Sequence, residues 1–205
     1  MALTGEEIQA LGSSGSERAK RWLEATCRAE VKWNNPGTHI KKLQFRKAGA
    51  DPNSTSQGDY FSMDLAGTLL GGEADGDMFV AEVKNYTSAG DQGTEYRYFL
   101  ARCYRIESDI PNMYEHYLWV TWAPFLVSSW KDLLTKEFVV EAVETNTESA
   151  RTALGSDNLS DEIAAAVAKK ILIVVLSERQ EVFLSLHGDE LIGVRQALLK
   201  LRNNA

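Results

Sequence analysis

Between Ser16 and Glu30, the apolar residues Ala19, Trp22, Leu23 and Cys27 recur at helical spacing. Arg18, Lys20, Arg21 and Glu24 fill the gaps, which predicts an amphipathic helix. Residues 1–15 are small and polar, with Gly12-Ser13-Ser14-Gly15 near their end, and predict a flexible N-terminus. Asn34-Asn35-Pro36-Gly37 breaks the helix pattern. A short basic strand or loop over 38–47 and a loop over 48–58 follow. Tyr60 to Leu70 alternates between apolar and polar residues, Gly71 to Asp77 is turn-like, and Met78 to Asn85, rich in apolar residues, reads as a second strand. These features predict a hairpin, and its apolar content places it at the centre of a sheet. Helices are predicted over Thr94–Glu107, Ser129–Leu134, Ser160–Lys169 and Asp189–Leu201. Strands are predicted over Tyr117–Phe125, Ile171–Leu176 and Glu181–Leu186, and 137–144 reads as strand or helix, a short strand being favoured. This order predicts an α/β fold, a mixed β-sheet flanked by helices, with 16–125 as its core and 126–205 as a C-terminal α/β extension of the same domain.

A length of 205 residues suits one domain, and 44% hydrophobic with 25% charged residues supports a packed core. No basic start followed by an apolar run opens the sequence, so no secretory signal is expected. The most apolar stretch, Ile163 to Leu176, is interrupted by Lys169-Lys170 and is too short to span a bilayer, so no membrane association is expected. Cys27 and Cys103 form neither a disulfide framework nor a zinc pattern and read as reduced core thiols. A cytoplasmic location follows as an expectation. His39, His116 and His187 show no ligand spacing. The net charge of −7 is unevenly distributed. Residues 1–47 carry nine Lys/Arg against five Glu, with a cluster at Lys41, Lys42, Arg46 and Lys47. Such a cluster suits a phosphate backbone, and it equally suits a solvated surface.

The candidate chemistry lies on the hairpin. Successive strand side chains alternate faces, so Glu82 and Lys84 point the same way and Val83 the other. Ser62, Asp64 and Ala66 share a face of the preceding strand. If Asp64 lies across from Glu82, two carboxylates converge beside a lysine. The backbone carbonyl of Val83 is a further candidate ligand. A shifted register makes Asp59 the acid instead. Such an oxygen-rich, incompletely filled donor set suits Mg²⁺ or Mn²⁺, and Lys84 suits water orientation or charge stabilisation.

The frame "DYFSMDLAG…FVAEVKNY" resembles the PD-(D/E)XK nucleases through Asp64, Glu82 and Lys84. Gln92-Gly93-Thr94-Glu95-Tyr96 is similar to the Gln-x-x-x-Tyr motif of RecB-like members, and Glu17 sits where many members carry a helix acid. The resemblance covers roughly residues 15–125. It implies a restriction-endonuclease-like fold with a nuclease core at 16–125. It implies Asp64, Glu82, Lys84, Gln92 and Tyr96 as catalytic residues. Metal binding would fall to Asp64, Glu82, Val83 and Glu17. It further implies Mg²⁺-dependent cleavage of DNA, in mobile-element defence or DNA repair. No Gly-x-x-x-x-Gly-Lys-Ser/Thr motif is present, so energy-driven targeting would need a partner protein. A homodimer is one way for so short a chain to span a duplex. A non-catalytic nucleic-acid-binding or scaffold module and an RNA-directed nuclease are the alternatives.

Overall fold

The computed structural model describes residues 5–37, 40–86, 88 and 90–203. In order, the elements are α1 (Gly5–Ala25), β1 (Ala29–Asn34), β2 (Gln44–Arg46), β3 (Tyr60–Ser62), β4 (Leu65–Leu69) and β5 (Met78–Lys84). Then come α2 (Gln92–Asp109), β6 (His116–Thr121), α3 (Lys136–Glu144), α4 (Thr147–Ala153) and α5 (Asp161–Lys170). The chain finishes with β7 (Ile171–Val175), α6 (Glu178–Phe183) and α7 (Gly188–Asn203). The five-stranded sheet has the order β1-β4-β5-β6-β7. Its β1–β4 and β4–β5 pairs are antiparallel and its β5–β6 and β6–β7 pairs parallel. The fold is thus α/β, a mixed sheet flanked by helices. β2 and β3 form a separate two-stranded sheet.

Both faces of the large sheet are covered, and the two-residue strand period sorts the core accordingly. Toward α1, Ala19 and Leu23 pack with Val31, Leu65, Phe79, Ala81, Val83, Leu118 and Val120. On the other face Ala66, Val80 and Trp119 pack with Tyr96 and Phe99 of α2, Val139 of α3 and Val167 of α5. Burying each valine, leucine or phenylalanine among them contributes about 1.5–3 kcal/mol. A Cβ at Gly67 would lie 2.0 Å from the Glu30 carbonyl oxygen, so β1 reaches β4 there only because the residue is glycine.

Several elements differ from expectation. Residues 5–15 belong to α1 rather than to a flexible N-terminus. That helix stops at Ala25, Cys27 takes a left-handed backbone (φ 57°), and the chain enters β1, an unexpected strand. Tyr60–Leu70 is not one strand. The Met63 amide donates to the Leu43 carbonyl, whereas the Asp64 amide donates to Ala81 of β5, so the chain changes sheets between them. Of the two readings of 137–144, the helix is found and not the favoured strand. Phe138, Val139, Ala142 and Val143 make its buried stripe, and Thr135 caps it by accepting from the Phe138 amide. The 181–186 strand is likewise replaced by α6, capped by Ser177. Among the described residues no helix is long and apolar enough to cross a membrane. His39 lies outside the described residues.

Candidate active site

The sheet change just before β4 positions Asp64. Its amide donates to the Ala81 carbonyl at 2.9 Å, its carbonyl accepts from the Asn35 amide at 2.8 Å, and its Oδ2 accepts from the Val83 amide at 2.7 Å. The paired register ends at Leu65 opposite Ala81, and the Asp64 carboxylate lies against the Val83 amide, between Glu82 and Lys84 along β5. Asp59 is elsewhere, ending a 3₁₀ turn before β3 and accepting from the Ser54 hydroxyl.

Glu82 is only 5% exposed. Its Oε1 accepts from Lys84 Nζ at 3.0 Å and from Arg102 at 3.1 Å. Its Oε2 is buried with no hydrogen-bond partner. Lys84 also donates to Glu95 Oε2 at 2.8 Å. A buried carboxylate in a central strand is costly unless compensated, and Lys84 and Arg102 compensate half of it. Asp64 is pushed up to about 8, by burial first and then by the Glu82 charge, against the opposing pull of the Val83 amide, Lys84 and Arg102. Burial disfavours the Lys84 ammonium, but Glu82 and Glu95 outweigh it and hold Lys84 above its usual range. Lys84 is therefore a cation at neutral pH, a donor and not a base.

Glu95 and Arg102 join the site without any sequence motif that singles them out. They stand seven apart on α2 and share the helix face turned to Glu82 and Lys84. That spacing is the available signal, hidden because Glu95 sits inside the Gln92–Tyr96 motif.

Gln92 and Tyr96 are placed in the core and not beside the carboxylates. Gln92 is fully buried, accepts from Thr121 Oγ1 at 2.6 Å and donates to the Ser88 and Ala123 carbonyls. Tyr96 donates to the Leu133 carbonyl at 2.9 Å, with its ring among Phe99, Trp119, Phe125 and Phe138. Both tie α2 to the end of β6 and the segment after it. Accordingly, Tyr96→Phe is expected to lower stability by about 1 kcal/mol and leave turnover unchanged, as read by denaturant unfolding beside an activity assay.

Glu17 is exposed on α1 and accepts from the Asn34 amide group at 2.5 Å, one strand away from Asp64. Among the described residues no group of three or more His, Cys, Asp or Glu side chains has the geometry to hold a metal, so Asp64 and Glu82 stand as a pair. The Val83 amide serves Asp64, and its side chain packs toward α1. Of the basic cluster, Lys41 and Lys42 are exposed on a 3₁₀ turn. Arg46 donates to the Pro52 carbonyl, and Lys47 is paired with Glu148 at 2.7 Å.

No protein-family model matches this chain, and no curated protein does. A solved structure described as the Moraxella osloensis Cap4 SAVED/CARF-domain containing receptor is similar over 97% of this chain, at 10% identity and a TM-score of 0.38. The chain spans 38% of that structure's length. A likeness at this level carries no argument about fold family or function.

Proposed function

We propose that this chain is a metal-dependent nuclease of the PD-(D/E)XK type, with a restriction-endonuclease-like fold, that hydrolyses phosphodiester bonds of DNA. The observation that carries the reading is the Glu82–Lys84 ion pair, with the Asp64 carboxylate on the amide of the intervening Val83 and Glu82 Oε2 buried and unpartnered. That orphaned oxygen and the half-buried Asp64 carboxylate fit a hard divalent cation such as Mg²⁺ or Mn²⁺, which is commonly held by one or two carboxylates with water and phosphate oxygens completing its shell. When bound, the cation supplies Lewis-acid polarisation of the phosphate and a lowered pKa for an attacking water.

The chain's own residues do the rest. Asp64 and Glu82 supply the cation-binding charge, and Asp64 must give up its proton to do so. Arg102 and Lys84 fix Glu82 by engaging its other oxygen, which keeps Oε2 free. Lys84, held protonated, donates toward the phosphoryl oxygens as charge builds on them. The net reaction adds a water oxygen to phosphorus and breaks the bond to the leaving sugar oxygen, which takes a proton. The orphaned Oε2 favours this over a non-catalytic module, since a binding surface has no use for a buried unpaired carboxylate oxygen. Service in mobile-element defence or DNA repair, with a targeting partner, belongs to the same proposal.

Parallel digestion of plasmid, linear duplex, single-stranded DNA and RNA, with Mg²⁺, Mn²⁺ or EDTA, tests it. Metal-dependent cleavage of DNA is expected. Cleavage of RNA alone moves the substrate, and binding in EDTA with no cleavage of any strand rejects the enzyme.

A further inference from the structure

Glu95 and Arg102, which hold Lys84 and Glu82, also line a cleft of about 370 Å³. β3 contributes Tyr60 to it, α2 contributes Tyr98 and α4 contributes Ser149. Both phenol groups are tethered, Tyr60 donating to the Ser54 carbonyl and Tyr98 accepting from the Asn146 side chain. Those bonds hold two aromatic rings in the cleft wall. The charges around them are neutralised, Lys47 by Glu148 and Arg102 by Glu82. A flat, uncharged group suits this lining better than a free anion. Ser149 supplies the polar feature. It is 1% exposed, and its Oγ has no hydrogen-bond partner. A buried hydroxyl left unpaired is destabilising, which points to a partner outside the chain.

We propose that this cleft takes the base of an unpaired nucleotide next to the phosphate that is cut, stacked on Tyr60 and Tyr98 with its polar edge at Ser149 Oγ. The inference rests on the nuclease reading and narrows its substrate class. Bases within a duplex are stacked and paired, so only a single strand or a splayed nucleotide enters such a cleft. The substrate is then a strand unpaired at the position of cleavage.

The test is fluorescence anisotropy of a labelled oligothymidylate in EDTA, against an abasic strand of equal length and a blunt duplex. The protein is expected to bind the oligothymidylate at least about fivefold tighter than the abasic strand, in line with base–aromatic stacking. Tyr98→Leu and Ser149→Ala should each reduce that preference. Ser149→Ala should do so without lowering the unfolding midpoint, a combination that a purely structural serine does not give. Equal affinity for based and abasic strands, or both variants binding as the wild type does, overturns the proposal. A Mn²⁺ titration of the same proteins separates the two readings. Intact Mn²⁺ binding without base preference removes the cleft proposal alone. Base preference without Mn²⁺ binding removes the nuclease and leaves base recognition standing.

Discussion

Lys84→Ala is expected to lower metal-dependent phosphodiester cleavage by roughly 100- to 1000-fold while the protein stays folded. Lys84 is a cation bracketed by Glu82 at 3.0 Å and Glu95 at 2.8 Å, beside the carboxylate pair. Charge that accumulates on a phosphoryl group there has this ammonium as a preorganised donor. Truncation leaves Glu82 with Arg102 as its remaining partner, so a stability loss of about 1–3 kcal/mol accompanies the change. Circular dichroism and the unfolding midpoint separate that loss from catalysis. The fall should appear in kcat more than in KM, because the donor acts on charge that develops in the transition state. A variant that folds and cuts at the wild-type rate would remove Lys84 from the chemistry.

Asp64→Asn carries the second large effect, with opposite signs for stability and activity. Asp64 is pushed up to about 8 from an ordinary carboxylate value of 3.8, chiefly by burial and then by the Glu82 charge. The folded state therefore holds a proton that the unfolded chain releases. This side chain is neutral toward stability below pH 4, destabilises progressively as pH rises from about 4 to 8, and exerts its full penalty above that range. An uncharged carboxamide in its place carries no such penalty, so Asp64→Asn is expected to be more stable than the wild type at pH 8 and nearly equal to it at pH 4. The carboxylate keeps some access to solvent, which limits the gain to a few kcal/mol at most. Cleavage should vanish in the same variant. Thermal unfolding across that pH range, in EDTA, gives the readout, and an Asp64→Asn protein less stable at pH 8 than the wild type contradicts this account of the site.

The two effects belong together. The Glu82 charge helps to keep a proton on Asp64, and a bound cation would displace that proton. Binding a divalent ion below pH 8 should therefore release a proton and should tighten as pH rises.

β5 is readable because Phe79-Val80-Ala81 and Val83 make a short apolar run, and the charged pair Glu82 and Lys84 in so apolar a strand invites a functional explanation. The α2 helix is readable from its helical apolar spacing, and the β6 and β7 strands from short, nearly continuous apolar runs. The break at Met63–Asp64 is not, because the alternation runs through it. Only tertiary bonds, Met63 to Leu43 and Asp64 to Ala81, reveal that the chain passes from one sheet to another. The valines at 139, 140 and 143 suggest a strand, yet burial against α2 and α5 selects their helical stripe. α6 is hidden because Val182, Phe183 and Leu184 look like strand residues, although all three are exposed. At the site, strand parity puts Glu82 and Lys84 on one face, but the choice between Asp64 and Asp59 needs the tertiary bonds of Asp64 to β5. The helix partners Glu95 and Arg102 require the packing of α2 on β5, which no local pattern encodes.

Calorimetric titration of Mn²⁺ into the wild type, Asp64→Asn and Glu82→Gln decides whether these two carboxylates hold a metal ion. A saturable site in the wild type, with heat that depends on buffer below pH 8, should disappear in both variants as cleavage does. Undiminished Mn²⁺ binding in both variants, or a wild type that neither binds the ion nor cuts nucleic acid, would show that they do not.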